Sequence, residues 1–172
     1  MKEKSEKFAS FIEVKKGASH IKSVDWWTPP EIFEKLDIEF DIDVAAPKGG
    51  VDWIPAKKYF TEEDDGLKLD WQGTVWCNPP YGTYTKRWLE KFVDHNDGIA
   101  LVFARTDTLW FHEIVANADA LVFIKGRLSF YNNGVKGSTA GSGSMLVACG
   151  EKSVEALWNS KLGLFVDLLC SR

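Results

Sequence analysis

The feature that most restricts how this chain can fold is the run Trp76-Cys77-Asn78-Pro79-Pro80-Tyr81-Gly82. The stretch Gly73-Thr74-Val75-Trp76-Cys77 reads as an apolar strand, and it passes without a spacer into an amide and two prolines. Each proline has φ locked and lacks an N–H, so neither continues a helix nor donates to an interior sheet ladder. Asn78 and Pro79 both precede a proline and are pushed toward extended backbone. The chain therefore leaves its strand stiffly, with carbonyls aimed outward and an aromatic ring fixed just beyond. Such an exit packs poorly as core and well as the wall of a small polar pocket.

Around that exit, strand and helix patterns alternate. Asp25-Trp26-Trp27-Thr28-Pro29-Pro30 precedes a helix to about Leu36, with Thr28 as N-cap and Pro29 at the first helical position. Ile38 to Val44 alternates as a strand does and ends in the small residues Ala45-Ala46-Pro47. Lys48 to Asp70 is irregular and carries the acidic cluster Glu62-Glu63-Asp64-Asp65. Tyr84 to about His95 is an amphipathic helix with Trp88, Leu89, Phe92 and Val93 on one face. Ile99 to Phe103 is continuously apolar, as a strand buried on both faces should be. The polar loop Arg105-Thr106-Asp107-Thr108 follows, then a helix from about Leu109 to Ala116 and a strand from Ala120 to Ile124.

Arg127 to Tyr131 and Met145 to Cys149 are expected to pair as an antiparallel hairpin with a long Gly/Ser tip over residues 137–144. A helix from Ser153 to about Lys161 and a last strand or helix from Leu164 to Leu169 complete the chain. The sum is an α/β domain over residues 25–172, its sheet mostly parallel with an antiparallel hairpin at one edge. An N-terminal arm, residues 1–24, precedes it. In such sheets a ligand lies beyond the carboxyl ends of the strands, where Asp43 to Ala46, Asn78 to Tyr81 and Arg105 to Thr108 all fall.

Composition narrows the partners. At 172 residues and 45% hydrophobic, the chain is long enough to bury a real core. Its net charge of −4 gives no global basic signal, so a nucleic-acid partner requires cations gathered on one face. Cys77, Cys149 and Cys170 sit in apolar surroundings without Cys-x-x-Cys spacing, so they read as reduced core thiols, neither disulfides nor metal ligands. No apolar run suits a membrane span and no secretory leader pattern is present, so a cytoplasmic protein is expected. Eight tryptophans and eleven phenylalanines serve mostly as core, although those near polar motifs are candidates for stacking on planar ligands.

Asn78-Pro79-Pro80-Tyr81 resembles the tetrad of amino-methyltransferases, which methylate a planar exocyclic or amide nitrogen from S-adenosylmethionine. The residue types suit that chemistry. An aromatic amine is a weak nucleophile because its lone pair is delocalised into the ring. Two acceptors gripping its two N–H groups favour a pyramidal nitrogen and free that lone pair. The Asn78 side-chain oxygen and the rigid Pro79 carbonyl are the natural pair. The Tyr81 ring is placed to stack on a flipped base, worth about 1–3 kcal/mol. Alone, the tetrad also fits cytosine N4, guanine in RNA or a protein glutamine amide. A rival of another class is a nucleic-acid-binding domain without chemistry.

The ordered set of segments resembles the phage-type DNA N6-adenine methyltransferase family, small Dam-like enzymes. It comprises Trp27-Thr28-Pro29, Phe40 to Ala46, Asp65-Gly66-Leu67 with Trp71, Asn78 to Tyr81, Arg105 to Thr108 with Trp110-Phe111-His112, and Gly126 to Phe130. The resemblance implies a Rossmann-like methyltransferase sheet, S-adenosyl-L-methionine as cofactor, double-stranded DNA as partner and work in a bacterial cell. It implies catalytic roles for Asn78, Pro79, Pro80 and Tyr81. Asp43 falls where the family has an acidic residue near the cofactor's methionine portion, with Ala45 beside it, and Trp27, Thr28 and Pro29 would flank the cofactor. Asp65 (or Asp64) is placed for its ribose or adenine. No Gly-x-Gly-x-x-Gly loop follows the first strand, which leaves the ribose contact open. Lys86, Arg87, Arg105, Thr106, Asp107 and Arg127 are the nucleic-acid candidates, although any one such cation is more often a solvated surface charge. His112 reads as structural.

Overall fold

The computed structural model describes residues 26–169, so the expected arm, Asp25 and Cys170 lie outside the described residues. The first helix, α1 (Pro30–Leu36), carries Glu31 in its first turn and Lys35 in its last, and buries Ile32, Phe33 and Leu36. Pro29 occupies the N-cap position and Pro30 the first turn, one residue later than expected, and no side chain caps the helix. Strand β1 (Phe40–Asp43) runs parallel to β2 (Ala56–Tyr59) on one side and to β3 (Val75–Cys77) on the other. Helix α2 (Thr85–His95) returns the chain to β4 (Gly98–Phe103), which is parallel to β3. Trp88, Leu89 and Phe92 bury one stripe of α2. The helix stops at Asn96, whose left-handed backbone returns its N–H to the Phe92 carbonyl.

A short α3 (Leu109–Glu113), a 3-10 turn (Val115–Asn117) and β5 (Ala120–Ile124) follow. Then come β6 (Ser129–Asn132), β7 (Val135–Thr139), β8 (Ser144–Cys149), α4 (Glu151–Ser160) and β9 (Gly163–Asp167). The main sheet has seven strands in the order β2-β1-β3-β4-β8-β5-β9. Its architecture is mixed α/β, with β1 to β5 pointing one way and β8 and β9 the other.

The expected hairpin is not what forms. Met145 to Cys149 does not pair with Arg127 to Tyr131; β8 lies inside the main sheet, antiparallel to both β4 and β5. The reason is burial: all six residues of β8 are buried, and a strand apolar on both faces belongs in a sheet centre. β6 pairs with β7 in a separate two-stranded sheet, turned by Asn133-Gly134, both with positive φ. The edge strand β2, Ala-Lys-Lys-Tyr, has no apolar signature, which is why the irregular stretch conceals it.

Two apolar layers sandwich the sheet. On one face Val75, Cys77, Ala100, Val102, Met145 and Val147 meet Trp88, Leu89 and Phe92 of α2. On the other, Trp76, Ile99, Leu101 and Leu146 meet Ile32, Phe33 and Leu36 of α1 and Leu157 of α4. Each fully buried large side chain contributes about 1.5–3 kcal/mol. Because β1 to β4 are parallel, their carboxyl ends share one rim. The Phe103–Ser144 register brings the start of β8 to the same rim.

Candidate active site

The tetrad sits on that rim. Cys77, buried and paired with Ala100, is the last residue of β3, so Asn78 emerges from the middle of the sheet. The Asn78 amide nitrogen donates to the Trp26 carbonyl at 3.0 Å. A carbonyl only accepts, so this bond fixes which end of the amide is which. Oδ1 is thereby turned the other way, where the Tyr81 hydroxyl donates to it at 3.2 Å. Thr85, at the start of α2, braces the prolines from below. Its hydroxyl donates to the Pro80 carbonyl at 3.1 Å and accepts the Gly82 N–H at 3.0 Å. Among the described residues nothing donates to the Pro79 carbonyl.

The Tyr81 ring stacks on Phe103, centroids 4.2 Å apart and planes within 17°. The Arg105 guanidinium lies 5.9 Å from the Phe103 centroid. Tyr81, Gly82, Thr85, Phe103, Arg105 and Trp110 line a cavity of about 280 Å³. Thr85 carries no sequence signal of this place, and Trp110 is marked only as part of the segment Trp110-Phe111-His112 that follows the Arg105 loop.

A larger cavity of about 990 Å³ opens on the other side of Pro80. Val44, Ala45, Leu67 and Trp88 supply apolar wall, while Asp65, Arg87 and Lys91 supply charge. Of the two candidate acids, Asp65 lines this cavity. Asp64 instead caps its own turn, accepting the Thr61 N–H and hydroxyl, both at 2.8 Å. Asp65 pairs with Lys68 at 2.8 Å, and that hydrogen bond lowers its carboxyl pKa. Gly66 passes so close beneath that a Cβ would overlap the Val44 carbonyl and press on the Trp88 ring. Trp71 Nε1 donates to the Gly66 carbonyl at 2.8 Å, which explains the spacing from Asp65-Gly66-Leu67 to Trp71. Lys91, which no motif marks, donates to the carbonyls of Gly66, Leu67 and Leu69 and lies over the Trp71 ring at 5.0 Å. Partial burial lowers its pKa.

Asp43 lies elsewhere. It is 4% exposed, accepts one N–H, from Ala45 at 3.2 Å, and burial pushes its pKa up to about 7. It lines a separate cavity of about 190 Å³ with Val51, Ile54 and Tyr59. Thr28 is buried and its hydroxyl has no partner among the described residues, so it is not the helix cap expected of it. Its carbonyl accepts Trp53 Nε1 at 2.9 Å, and Trp27 packs on Trp53 with centroids 5.6 Å apart. Of the expected cofactor residues, then, Ala45 and Asp65 share the large cavity with Pro80, whereas Trp27, Thr28, Pro29 and Asp43 do not line it.

The family profile of DNA N-6-adenine-methyltransferase (Dam) matches residues 18–159, most of the chain. The chain belongs to the Dam family. It is 30% identical over 125 residues to the DNA N-6-adenine-methyltransferase of Haemophilus phage HP1 (strain HP1c1), covering 69% of this chain and 70% of that protein. It is 30% identical over 113 residues to the enzyme of the same name from Escherichia phage T1, covering 60% of this chain and 46% of that one. No solved structure matches the chain. Members of this family methylate adenine at N6 in DNA, and that is the activity of this chain; a methyl donor is implied.

For this Dam-family enzyme the cations differ in how accessible they are. Lys86 is engaged by Glu113 at 3.1 Å and Glu90 at 3.8 Å, bridging α2 and α3. Arg87 faces the large cavity with its guanidinium 5.7 Å from the Tyr84 ring. Arg105, Thr106 and Asp107 are exposed in the loop after β4, beside the small cavity. Arg127 is exposed and donates weakly to the Ala140 carbonyl at 3.4 Å. His112 is exposed and edge-on to Phe111, outside both cavities. Among the described residues no cluster of three His, Cys, Asp or Glu is arranged to take a metal, and no helix is long and apolar enough to cross a membrane.

Proposed function

We propose that this Dam-family enzyme transfers a methyl group from S-adenosylmethionine to the N6 of an adenine flipped out of double-stranded DNA. Residues 25–172 would act as one catalytic unit on a Rossmann-like methyltransferase sheet, working in the bacterial cytoplasm. The observation that carries the reading is the fixed Asn78 amide, with Oδ1 turned away from Trp26 and the Pro79 carbonyl next to it in the chain.

The residues fit the donor. The 990 Å³ cavity offers apolar walls for a nucleobase and the Asp65 carboxylate for hydroxyls, and it reaches the tetrad at Pro80. Asp43, buried and accepting one N–H from Ala45, lines the small cavity at the end of β1 and would take the donor's ammonium. When bound, S-adenosylmethionine supplies an electrophilic methyl on a sulfonium.

The chain's own task is positioning and electrostatics. Asn78 Oδ1 and the Pro79 carbonyl accept hydrogen bonds from the two N6–H groups, which frees the nitrogen lone pair from the ring. The N6–methyl bond would form as the sulfur–methyl bond breaks, the donor leaving as its thioether and N6 losing one proton to water. Tyr81 gives up its bond to Oδ1 as the base arrives, and its ring, with Trp110, forms the base's apolar surroundings. Flipping costs a few kcal/mol, since N6 cannot be reached inside the stack. Arg105 and Arg127 contact flanking phosphates.

The test is expression in methylation-deficient bacteria, followed by nuclease digestion and mass spectrometry of the nucleosides. N6-methyladenine is expected, and its absence with a folded, cofactor-binding protein overturns the reading. Asn78→Ala should lower turnover by roughly 10²–10³-fold, the scale for losing a preorganised polar group, with cofactor affinity little changed.

A further inference from the structure

We propose that Trp26 is a positioning residue for the catalytic amide, and that the β6–β7 hairpin controls it. This rests on the reading of Asn78 Oδ1 as the N6 acceptor. The Trp26 carbonyl is the atom that accepts from Asn78 Nδ2, at 3.0 Å. Rotating that amide by half a turn would present N–H donors to the substrate's own N–H groups, a repulsive pairing in place of an attractive one. The orientation of one carbonyl therefore separates a competent tetrad from an incompetent one.

That carbonyl is held from the hairpin side. The next residue, Trp27, exchanges two backbone hydrogen bonds with Tyr131 of β6, at 2.8 and 3.0 Å. The Trp26 ring rests over Gly137 of β7, so closely that a Cβ there would stand 2.9 Å from the ring. Trp53 stiffens the junction, its ring 5.2 Å from Tyr131 and its Nε1 bonded to the Thr28 carbonyl. The hairpin is no part of the main sheet, so moving it would break no hydrogen bond of that ladder. Its position is passed through Trp27 and Gly137 to Trp26 and from there to Asn78. A Cβ at 137 would stand 2.9 Å from the Phe130 carbonyl as well as from the ring, so packing, and not a left-handed backbone, is what favours glycine there.

The experiment compares Gly137→Ala, which crowds the Trp26 ring and the Phe130 carbonyl and so displaces the hairpin, with Trp26→Ala, which removes the ring and leaves the hairpin unstrained. Two readouts are used in the full chain. One is the Asn78 side-chain NH₂ resonance in protein labelled with ¹⁵N-asparagine, assigned by its loss in Asn78→Asp. The other is kcat and KM on DNA from methylation-deficient cells. Both variants are expected to shift the resonance and to lower kcat roughly tenfold or more with KM nearly unchanged, the signature of a misplaced transition-state contact. In an Asn78→Asp background the added loss should vanish, because a carboxylate offers an acceptor oxygen whichever way it turns. The proposal is overturned if the folded variants leave the resonance and kcat at parental values. It is equally overturned if they cost as much beside Asp as beside Asn at position 78, as a merely structural role would. Full turnover by Asn78→Ala is a different failure: it removes the catalytic reading itself, whatever the resonance does.

Discussion

The ring of Tyr81 lies nearly parallel to that of Phe103, 4.2 Å between centroids, so one of its two faces is already taken. An incoming base must meet the other face or displace Phe103. The Tyr81 hydroxyl also occupies Asn78 Oδ1, where the substrate's hydrogen is expected. Ring and hydroxyl thus pull in opposite directions on base binding.

Replacing Tyr81 should separate the two effects. Tyr81→Phe keeps the stack and frees Oδ1, so KM for DNA is expected to stay level or fall. Tyr81→Ala loses about 1–3 kcal/mol of stacking, a rise in KM of roughly tenfold or more. Steady-state kinetics on a duplex carrying one methylatable adenine measures both. Equal losses in the two variants would contradict the assignment of the ring.

Asp43 makes stability fall as pH rises. Burial raises its pKa from the ordinary carboxylate value of 3.8, which holds in the unfolded chain, to about 7 in the fold. Below the unfolded value both states hold the proton and no penalty exists. Across the window between the two values the unfolded chain releases its proton while the folded one retains it, so stability is lost progressively, and fully above pH 7. Asp43→Asn should therefore gain on the parent by up to a few kcal/mol between pH 4 and pH 8, measured by urea unfolding without cofactor. A difference that does not change with pH would refute the buried-carboxyl account. If a cationic donor binds beside Asp43, it favours the carboxylate, and calorimetry in two buffers at pH 6 should detect proton release on binding.

Gly66 has no room for a side chain between the Val44 carbonyl and Trp88. Gly66→Ala should cost about 1–3 kcal/mol in stability through overpacking. Since the same residue lines the large cavity, cofactor affinity should fall in parallel. Thermal unfolding and cofactor titration check the two together.

Lys86 and Arg105 should differ in their effect on DNA binding. Arg105 is exposed at the small cavity, whereas Lys86 is engaged by Glu113 and Glu90. Arg105→Ala is expected to weaken binding and reduce the slope of log affinity against log salt by about one. Lys86→Ala should leave that slope unchanged. Fluorescence anisotropy across a salt series measures it, and equal slopes for the two variants would remove Arg105 from the phosphate contacts.

The rim that carries the tetrad is legible in the sequence because its signals are local. A strand that runs into Asn78-Pro79-Pro80 can end in few ways, and the parallel register of β1, β3 and β4 follows from apolar runs joined by crossovers. What stays hidden depends on groups far apart in the chain. Trp26 lies 52 residues from Asn78 and acts through its backbone, which no side-chain pattern encodes. Lys91 matters because three carbonyls from another loop converge on it. The misplaced hairpin has the same origin. Asn133-Gly134 correctly marks the turn, but the polar β7 reads as a loop tip, which leaves β8 with the wrong partner. The completely apolar Met145 to Cys149 already argues for an interior strand.

The seat of β8 has a consequence for synthesis. Strands β4 and β5 are made first, yet they cannot join until Ser144–Cys149 slides between them. A nascent or cleaved chain ending before that point carries the whole tetrad, but Gly98–Phe103 is left with a bare apolar edge, a template for pairing with other molecules. Phe103, the platform under Tyr81, also lacks its register partner Ser144 until then. The sheet is thus joined from the inside, by a strand made after the two it links, and only β9 is left to add at the edge.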